Sequence, residues 1–103
     1  MMAKVIVSPE ARKDLIKTNT YIRDELCSPD AAKRILGELR KAMLSLQNMP
    51  ERGVPLDSVI SVHTEFRFLI CEHYRIFYII NGDTVEVIRI LHMLQNYMRI
   101  LFE

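Results

Sequence analysis

The stretch YRIFYIINGDTVEVIRILH, residues 74–92, decides the fold of this chain. Its two apolar runs, Tyr74–Ile80 and Thr84–His92, are rich in the β-branched and aromatic residues that strands favour. The dipeptide Asn81-Gly82 between the runs is a strong signal for a tight hairpin turn. These residues predict two neighbouring antiparallel strands near the end of the chain.

Upstream of this hairpin the sequence predicts two further strands and a capped helix. A third strand-like run lies at Phe66–Cys71, and a short β-branched run lies at Lys4–Val7. Ser8-Pro9 follows the short run and marks a helix start, because serine caps helices and proline fits the first helical position. Helically spaced apolar residues then carry this helix to about Leu26.

A second helix start follows in residues 27–30, where the sequence reads CSPD. This helix has a clean apolar stripe and is predicted to close at Pro50. A short terminal helix is predicted within Gln95–Phe102. The order β-α-α-β-β-β with a short C-terminal element predicts an α+β fold. A helix hairpin is expected to cover one face of a mostly antiparallel sheet and to leave the other face open.

Composition limits the class of protein. The chain has 103 residues with 50% apolar and 26% charged residues, which favours a single globular domain over residues 1–103. The longest apolar run, Ile76–Ile80, is too short to span a membrane. The first seven residues do not resemble a secretory signal, so a cytoplasmic location is expected. A formal charge of +1 argues against a protein that binds nucleic acid through a large excess of positive charge.

The usual cofactor and metal motifs are missing from the sequence. It has no glycine-rich phosphate loop, no cysteine pair at metal spacing and no hydrolase motif, so no cofactor or metal is expected. The two cysteines, Cys27 and Cys71, are expected to be core thiols.

Arginine, histidine and tyrosine are concentrated in the last three strands and the tail. Arg75 is either a solvated strand residue or an anion-binding group, and each histidine is either an acid–base group or exposed decoration. Tyr97 either closes over a site or anchors the tail helix in the core. Tyr74 and Tyr78 alternate with Arg75 along the strand and are expected in the core.

The turn between the last two strands determines which of these side chains meet. A two-residue loop at Asn81-Gly82 puts Arg89 opposite Tyr74 and places Arg75 on the other face with His73 and His92. A three-residue loop with a bulge pairs Arg75 with Arg89 instead. The sequence alone does not decide between these two registers.

Several stretches make the chain resemble the RelE/ParE family of toxins from bacterial type II toxin–antitoxin systems. These are VIVSPEA at residues 5–11, the helix pair, YRIFY at 74–78 and DTVEVIRILH at 83–92. The most specific part is the succession of the YRIFY strand, the acidic turn and the IRILH strand. The resemblance covers nearly the whole chain, and the order of elements predicted above is also the family's fold.

The resemblance implies a growth-arresting toxin with a cognate antitoxin protein as its partner. RelE-like members cut mRNA on the ribosome, whereas ParE-like members poison DNA gyrase, and a shared fold does not decide between them. Ribosome-dependent mRNA cleavage is the first expectation, since His73, Arg75 and His92 could share a face. Gyrase inhibition is the alternative. A third hypothesis is an eroded binding module, that is, a family member that has lost its catalytic site and acts only by binding.

The resemblance also implies roles for individual residues, with one departure from the family pattern. Many members follow the strand histidine with glycine and a basic pair, but residues 93–97 here read MLQNY. Fewer basic groups weaken both ribosome docking and catalysis, because contact with RNA is largely electrostatic. The catalytic candidates are Arg75, His92 and Tyr97, and the RNA-binding candidates are Arg67, His73 and Arg89.

Overall fold

A five-stranded sheet forms the centre of the described residues, 2–103, in this computed structural model. The strands lie in the order β1-β5-β4-β3-β2, and only the β1–β5 pair is parallel. Their bounds are β1, Lys4–Val7; β2, Val54–Pro55; β3, Arg67–Cys71; β4, Tyr74–Asn81; and β5, Thr84–His92. The predicted α+β class and mostly antiparallel sheet are confirmed, and the two-residue strand β2 is an addition that the sequence did not indicate.

Two helices, each capped by a serine side chain, lie against one face of the sheet. Their bounds are α1, Pro9–Thr20, extended by a π-helical turn at Tyr21–Glu25, and α2, Pro29–Ser45. The Ser8 hydroxyl accepts a hydrogen bond from the Ala11 amide, and the Ser28 hydroxyl accepts one from the Ala31 amide. Both predicted helix starts are therefore correct, whereas α2 ends before Pro50.

The main core lies between the helices and this face of the sheet. Its fully buried side chains include Leu39 from α2, Leu46 directly after that helix, and Ile76 and Tyr78 from β4. Tyr74 is buried here as well, so the prediction that both strand tyrosines lie in the core is confirmed. Burial of this apolar surface supplies the main favourable term in folding.

A second core lies on the opposite face of the sheet. It consists of Leu56, Phe68, Phe77 and Leu91, with partly buried residues of the loop 60–66 and of the terminal helix packed on it. This helix, α3, spans Tyr97–Phe102 and confirms the predicted tail helix. The expectation of an open face is wrong, because the central strands carry large apolar side chains in both directions and need cover on both sides.

A bulge fixes the register between β4 and β5. Gly82 (φ 64°) and Asp83 form the turn, and the pairing shifts by one residue next to Phe77. Both predicted registers are therefore wrong. The bulge allows Val87 and Ile90, which are an odd number of residues apart, to face the same helix-side core.

The first helix protects the end of β5 that β1 does not reach. Beyond Val7, the Ser8 hydroxyl donates to the Ile88 carbonyl, and the Ile90 amide donates to Asp14 Oδ2 at 2.9 Å. These contacts satisfy main-chain groups of an otherwise unprotected sheet edge. The carboxylate of Asp14 is therefore part of the fold.

The cysteines differ from expectation. Cys27 is exposed in the connection between the two helices, where its φ is 50°, so the prediction that it is a core thiol is wrong. Cys71 is half-buried and packs against the helix-side core, where burial raises its pKa. Within residues 2–103 no helix is both long and apolar enough to cross a membrane, and no three metal-binding side chains cluster.

Candidate functional site

Arg75 lies in the middle of the sheet face that carries α3. Its cross-strand neighbours are exposed Ile70 on β3 and buried Leu91 on β5. The guanidinium carbon lies 5.4 Å from the centroid of the Tyr97 ring, which is a cation–π distance. The Arg75 side chain makes no hydrogen bond or ion pair with the rest of the described chain, residues 2–103. Its donors are therefore available to another molecule.

Tyr97 connects this arginine to the second core. Its ring stacks on Phe77 with 5.3 Å between centroids and 30° between planes. The ring also packs against the cluster around Leu91. Tyr97 therefore both anchors α3 and lies beside Arg75, so the structure brings two of the three catalytic candidates together.

His92, the third catalytic candidate, points to the other face. It pairs with Tyr74 at the end of β5, and the two rings meet edge to face at 5.2 Å. His73 lies in the β3–β4 turn with its ring 6.3 Å from that of His92. The expectation that both histidines share a face with Arg75 is wrong. His92 pairs with Tyr74, which alternates with Arg75 along β4, and His73 lies in the turn with its ring next to that of His92.

Arg89 is held inside the fold by Asp14. The two side chains form a bidentate ion pair, with nitrogen–oxygen distances of 2.8 and 2.9 Å. Hydrogen bonding to this carboxylate raises the pKa of Arg89. The guanidinium joins β5 to α1 and has few donors left for an external ligand.

Arg67 is hydrogen-bonded to the loop that follows α2. Its guanidinium donates to the carbonyls of Glu51 and Gly53 at 3.2 and 2.9 Å. In the same loop, the hydroxyl of buried Tyr78 donates to the Pro50 carbonyl and accepts from the Gly53 amide. Arg67 therefore has a structural role, because it attaches this loop to the sheet.

Sequence reasoning missed the structural partners of the arginines. The position of Asp14 could have indicated such a partner. Asp14 lies between Ala11 and Thr18 on the face of α1 that the structure buries. An acidic residue at such a position predicts a buried partner. Gly53 and the Tyr78 hydroxyl meet across 25 positions, which no local pattern reveals.

Comparisons with known proteins agree with this architecture. A structure of the chromosomal ParDE toxin–antitoxin system from P. aeruginosa has a TM-score of 0.74 at 18% identity, covering 88% of this chain and 96% of that chain. The toxin–antitoxin complex RelBE2 from Mycobacterium tuberculosis gives 0.63 at 23% identity, covering 89% and 99%. These likenesses support the fold. No curated protein matches the sequence.

The family itself is shown by the sequence. The family model for the ParE toxin of the type II toxin–antitoxin system parDE matches residues 5–97, which include α1, α2, Tyr97 and every strand residue except Lys4. The chain therefore belongs to the ParE toxin family of type II toxin–antitoxin systems.

Proposed function

We propose that this toxin arrests growth by binding DNA gyrase through the surface formed by Ile70, Arg75 and Tyr97. The proposal rests on family membership and on the separation of Arg75 from the histidines. An arginine beside an aromatic ring, with an exposed aliphatic side chain next to it, is the composition of a protein-binding hot spot. Ile70 is 62% exposed on this surface.

The separation of Arg75 from His92 is the observation that carries the proposal. General acid–base catalysis needs a proton-transferring group within hydrogen-bond reach of the reacting atoms. His92 faces α1, and the ring of Tyr97 is engaged with Phe77. A surface that recognises a protein has no such requirement, so this arrangement favours binding over RNA cleavage.

Ribosome-dependent mRNA cleavage is the second candidate function, and one observation favours it. The Arg75 guanidinium contacts the Tyr97 ring but has no hydrogen-bond or ion-pair partner within residues 2–103, so its planar group can donate two hydrogen bonds to phosphate oxygens. In that case Arg75 stabilises the charged phosphorane, and Tyr97 is the nearest phenol. Gyrase and ribosomes both work in the cytoplasm, so either proposal includes a cytoplasmic site of action.

The Arg75→Ala variant tests whether this surface is needed for growth arrest. We expect the variant to bind its target about 10- to 100-fold more weakly, because the substitution removes a hot-spot side chain worth roughly 2 kcal/mol. Growth arrest on induced expression should weaken accordingly. Arg99→Ala is the matched control, since Arg99 lies on α3 and pairs only with Glu103 at the surface. If Arg75→Ala arrests growth as strongly as the wild type, the surface is assigned wrongly.

The cellular response to the wild type identifies the target. DNA damage signalling and filamentation with intact mRNA indicate gyrase. Rapid loss of translation, with new mRNA 5′ ends inside codons, indicates ribosome-dependent cleavage and overturns the first proposal. Normal growth with soluble toxin present indicates the eroded binding module instead.

We also propose that a cognate antitoxin covers the groove between β1 and the two helices. The groove measures about 390 Å³ and is lined by apolar side chains that include Leu15 and half-exposed Leu44. Arg12 and Arg40 line it as well and form no ion pair within the described residues. An extended or helical segment with apolar and acidic side chains fits this surface.

Leu44→Asp is expected to reduce co-purification of the toxin with the product of a neighbouring reading frame. An aspartate there places a negative charge in the apolar part of the groove and weakens binding by about 2 kcal/mol, or roughly 30-fold. The control is Val59→Asp, which changes another exposed aliphatic residue on a loop outside the groove. Equal loss in both variants would argue against this site.

A further inference from the structure

A separate pocket lies between the end of α1 and the end of the sheet. It has a volume of about 320 Å³ and is on the helix side, away from Arg75. Buried Thr18 and Tyr74 line its floor together with half-buried His92. The exposed side chains around its mouth are Lys17, Tyr21 and Gln95. Exposed Leu94 also lines the mouth, so the pocket is aromatic at its base and has a rim of mixed polar and apolar side chains.

The polar groups of this pocket are arranged as donors. The Leu94 amide donates to His92 Nδ1 at 3.1 Å, so a neutral imidazole carries its proton on Nε2 and can donate from there. The Gln95 side-chain oxygen accepts a hydrogen bond from the main-chain amide of His92, which leaves the side-chain nitrogen of Gln95 as a donor. Lys17 adds a cation, and no carboxylate lines the pocket within the described chain.

The tyrosine at the floor does not add negative charge. Burial raises the pKa of Tyr74, and the neighbouring Thr18 hydroxyl offsets this shift only in part. The phenol is therefore neutral at physiological pH. Its ring and the ring of His92 stand at 90° to each other and form two walls of a corner. Such a corner accepts a flat ring edge to face with one wall and face to face with the other.

We propose that this pocket binds a nucleoside monophosphate, with the base in the aromatic corner of Tyr74 and His92 and the phosphate at Lys17. A cavity of about 150 Å³ is sufficient for one benzene ring, so this larger, open pocket takes a heterocycle with the ribose phosphate at its mouth. The exposed ring of Tyr21 can cover the base from the solvent side. This site does not depend on which macromolecule the Arg75 surface recognises.

Titration of the purified full-length toxin with AMP tests the assignment. We expect saturable binding with a dissociation constant below about 1 mM, which is common for a small ligand with one charge-assisted contact. Backbone amide shifts in an NMR spectrum should change at residues 17–21 and 92–95. Adenosine should bind about tenfold more weakly because it lacks the charged group, and inorganic phosphate alone should not saturate.

Two lysines on one helix provide the decisive comparison. Lys17→Met should weaken AMP binding about tenfold, and Lys17→Arg should restore most of it. Lys13→Met removes the same charge from the same helix at a position outside the pocket and should change the affinity less than about twofold. Equal losses for the two methionine variants would mean nonspecific attraction and would overturn the proposal. Absence of saturation by about 5 mM AMP, or shifts confined to other residues, would overturn it as well.

Discussion

Replacing Asp14 with alanine is expected to lower the free energy of unfolding by about 3 kcal/mol. The carboxylate is almost fully buried, whereas the side chain of Arg89 is 24% exposed, so part of the arginine's charge remains solvated after the loss. This exposure places the expected cost at the lower end for a broken buried ion pair. The Ile90 amide also loses its acceptor. Chemical denaturation followed by circular dichroism measures the change.

Companion variants separate the charge from the hydrogen bond at this position. Asp14→Asn keeps an oxygen acceptor for the Ile90 amide and should cost about 1 to 2 kcal/mol. In a double-mutant cycle, Asp14→Ala with Arg89→Met should cost at least about 1 kcal/mol less than the sum of the single variants. A loss below about 0.5 kcal/mol for Asp14→Ala would show that the pair behaves as a surface salt bridge.

Replacing Gly53 with alanine is expected to cost about 3 kcal/mol. An added Cβ would lie only 2.7 and 2.9 Å from two carbons of the Tyr78 ring, which is fully buried and has little space to move. The hydroxyl of that ring holds the loop through hydrogen bonds to Pro50 and Gly53. Relieving the clash therefore breaks the attachment of the loop to the sheet. Thermal and chemical denaturation both report this loss.

Another glycine provides a control with the opposite sign. Gly37 lies inside α2, and a Cβ there would meet no atom within 4 Å. Gly37→Ala should stabilise the protein by about 0.5 to 1 kcal/mol, because alanine loses less backbone entropy in a helix. Combining Gly53→Ala with Tyr78→Phe should cost less than the two single changes added together. If Gly53→Ala is neutral, the approach of the loop to Tyr78 is looser than the structure shows.

The sequence by itself determined the main helices and strands, apart from the two-residue strand β2, and it determined the family. Ser8-Pro9 and Ser28-Pro29 located both helix starts, and the apolar run at Thr84–His92 matched β5 over its whole length. These features depend on local chemistry: a serine oxygen meets the amide of a residue three positions on, and β-branched residues favour extended backbone. The succession of YRIFY and IRILH then carried the resemblance that the family model confirms.

Only the tertiary structure decided which functional candidates lie together. The bulge beside Phe77 set the final register, and Arg75 and His92 consequently face opposite sides of the sheet. Register depends on which core each side chain must enter, and a shift of one residue reverses the face of every following side chain. The sequence left two registers open, and the structure adopts a third.

The partners of the arginines were likewise decided by tertiary packing. Arg89 meets Asp14 across 75 positions, and Arg67 meets the loop carbonyl of Gly53. Sequence alone placed both arginines among the binding candidates because a strand arginine has the same local pattern whether its partner is a ligand or the fold. Packing distinguishes them: it supplies partners for Arg67 and Arg89 and leaves Arg75 beside Tyr97 with its donors available.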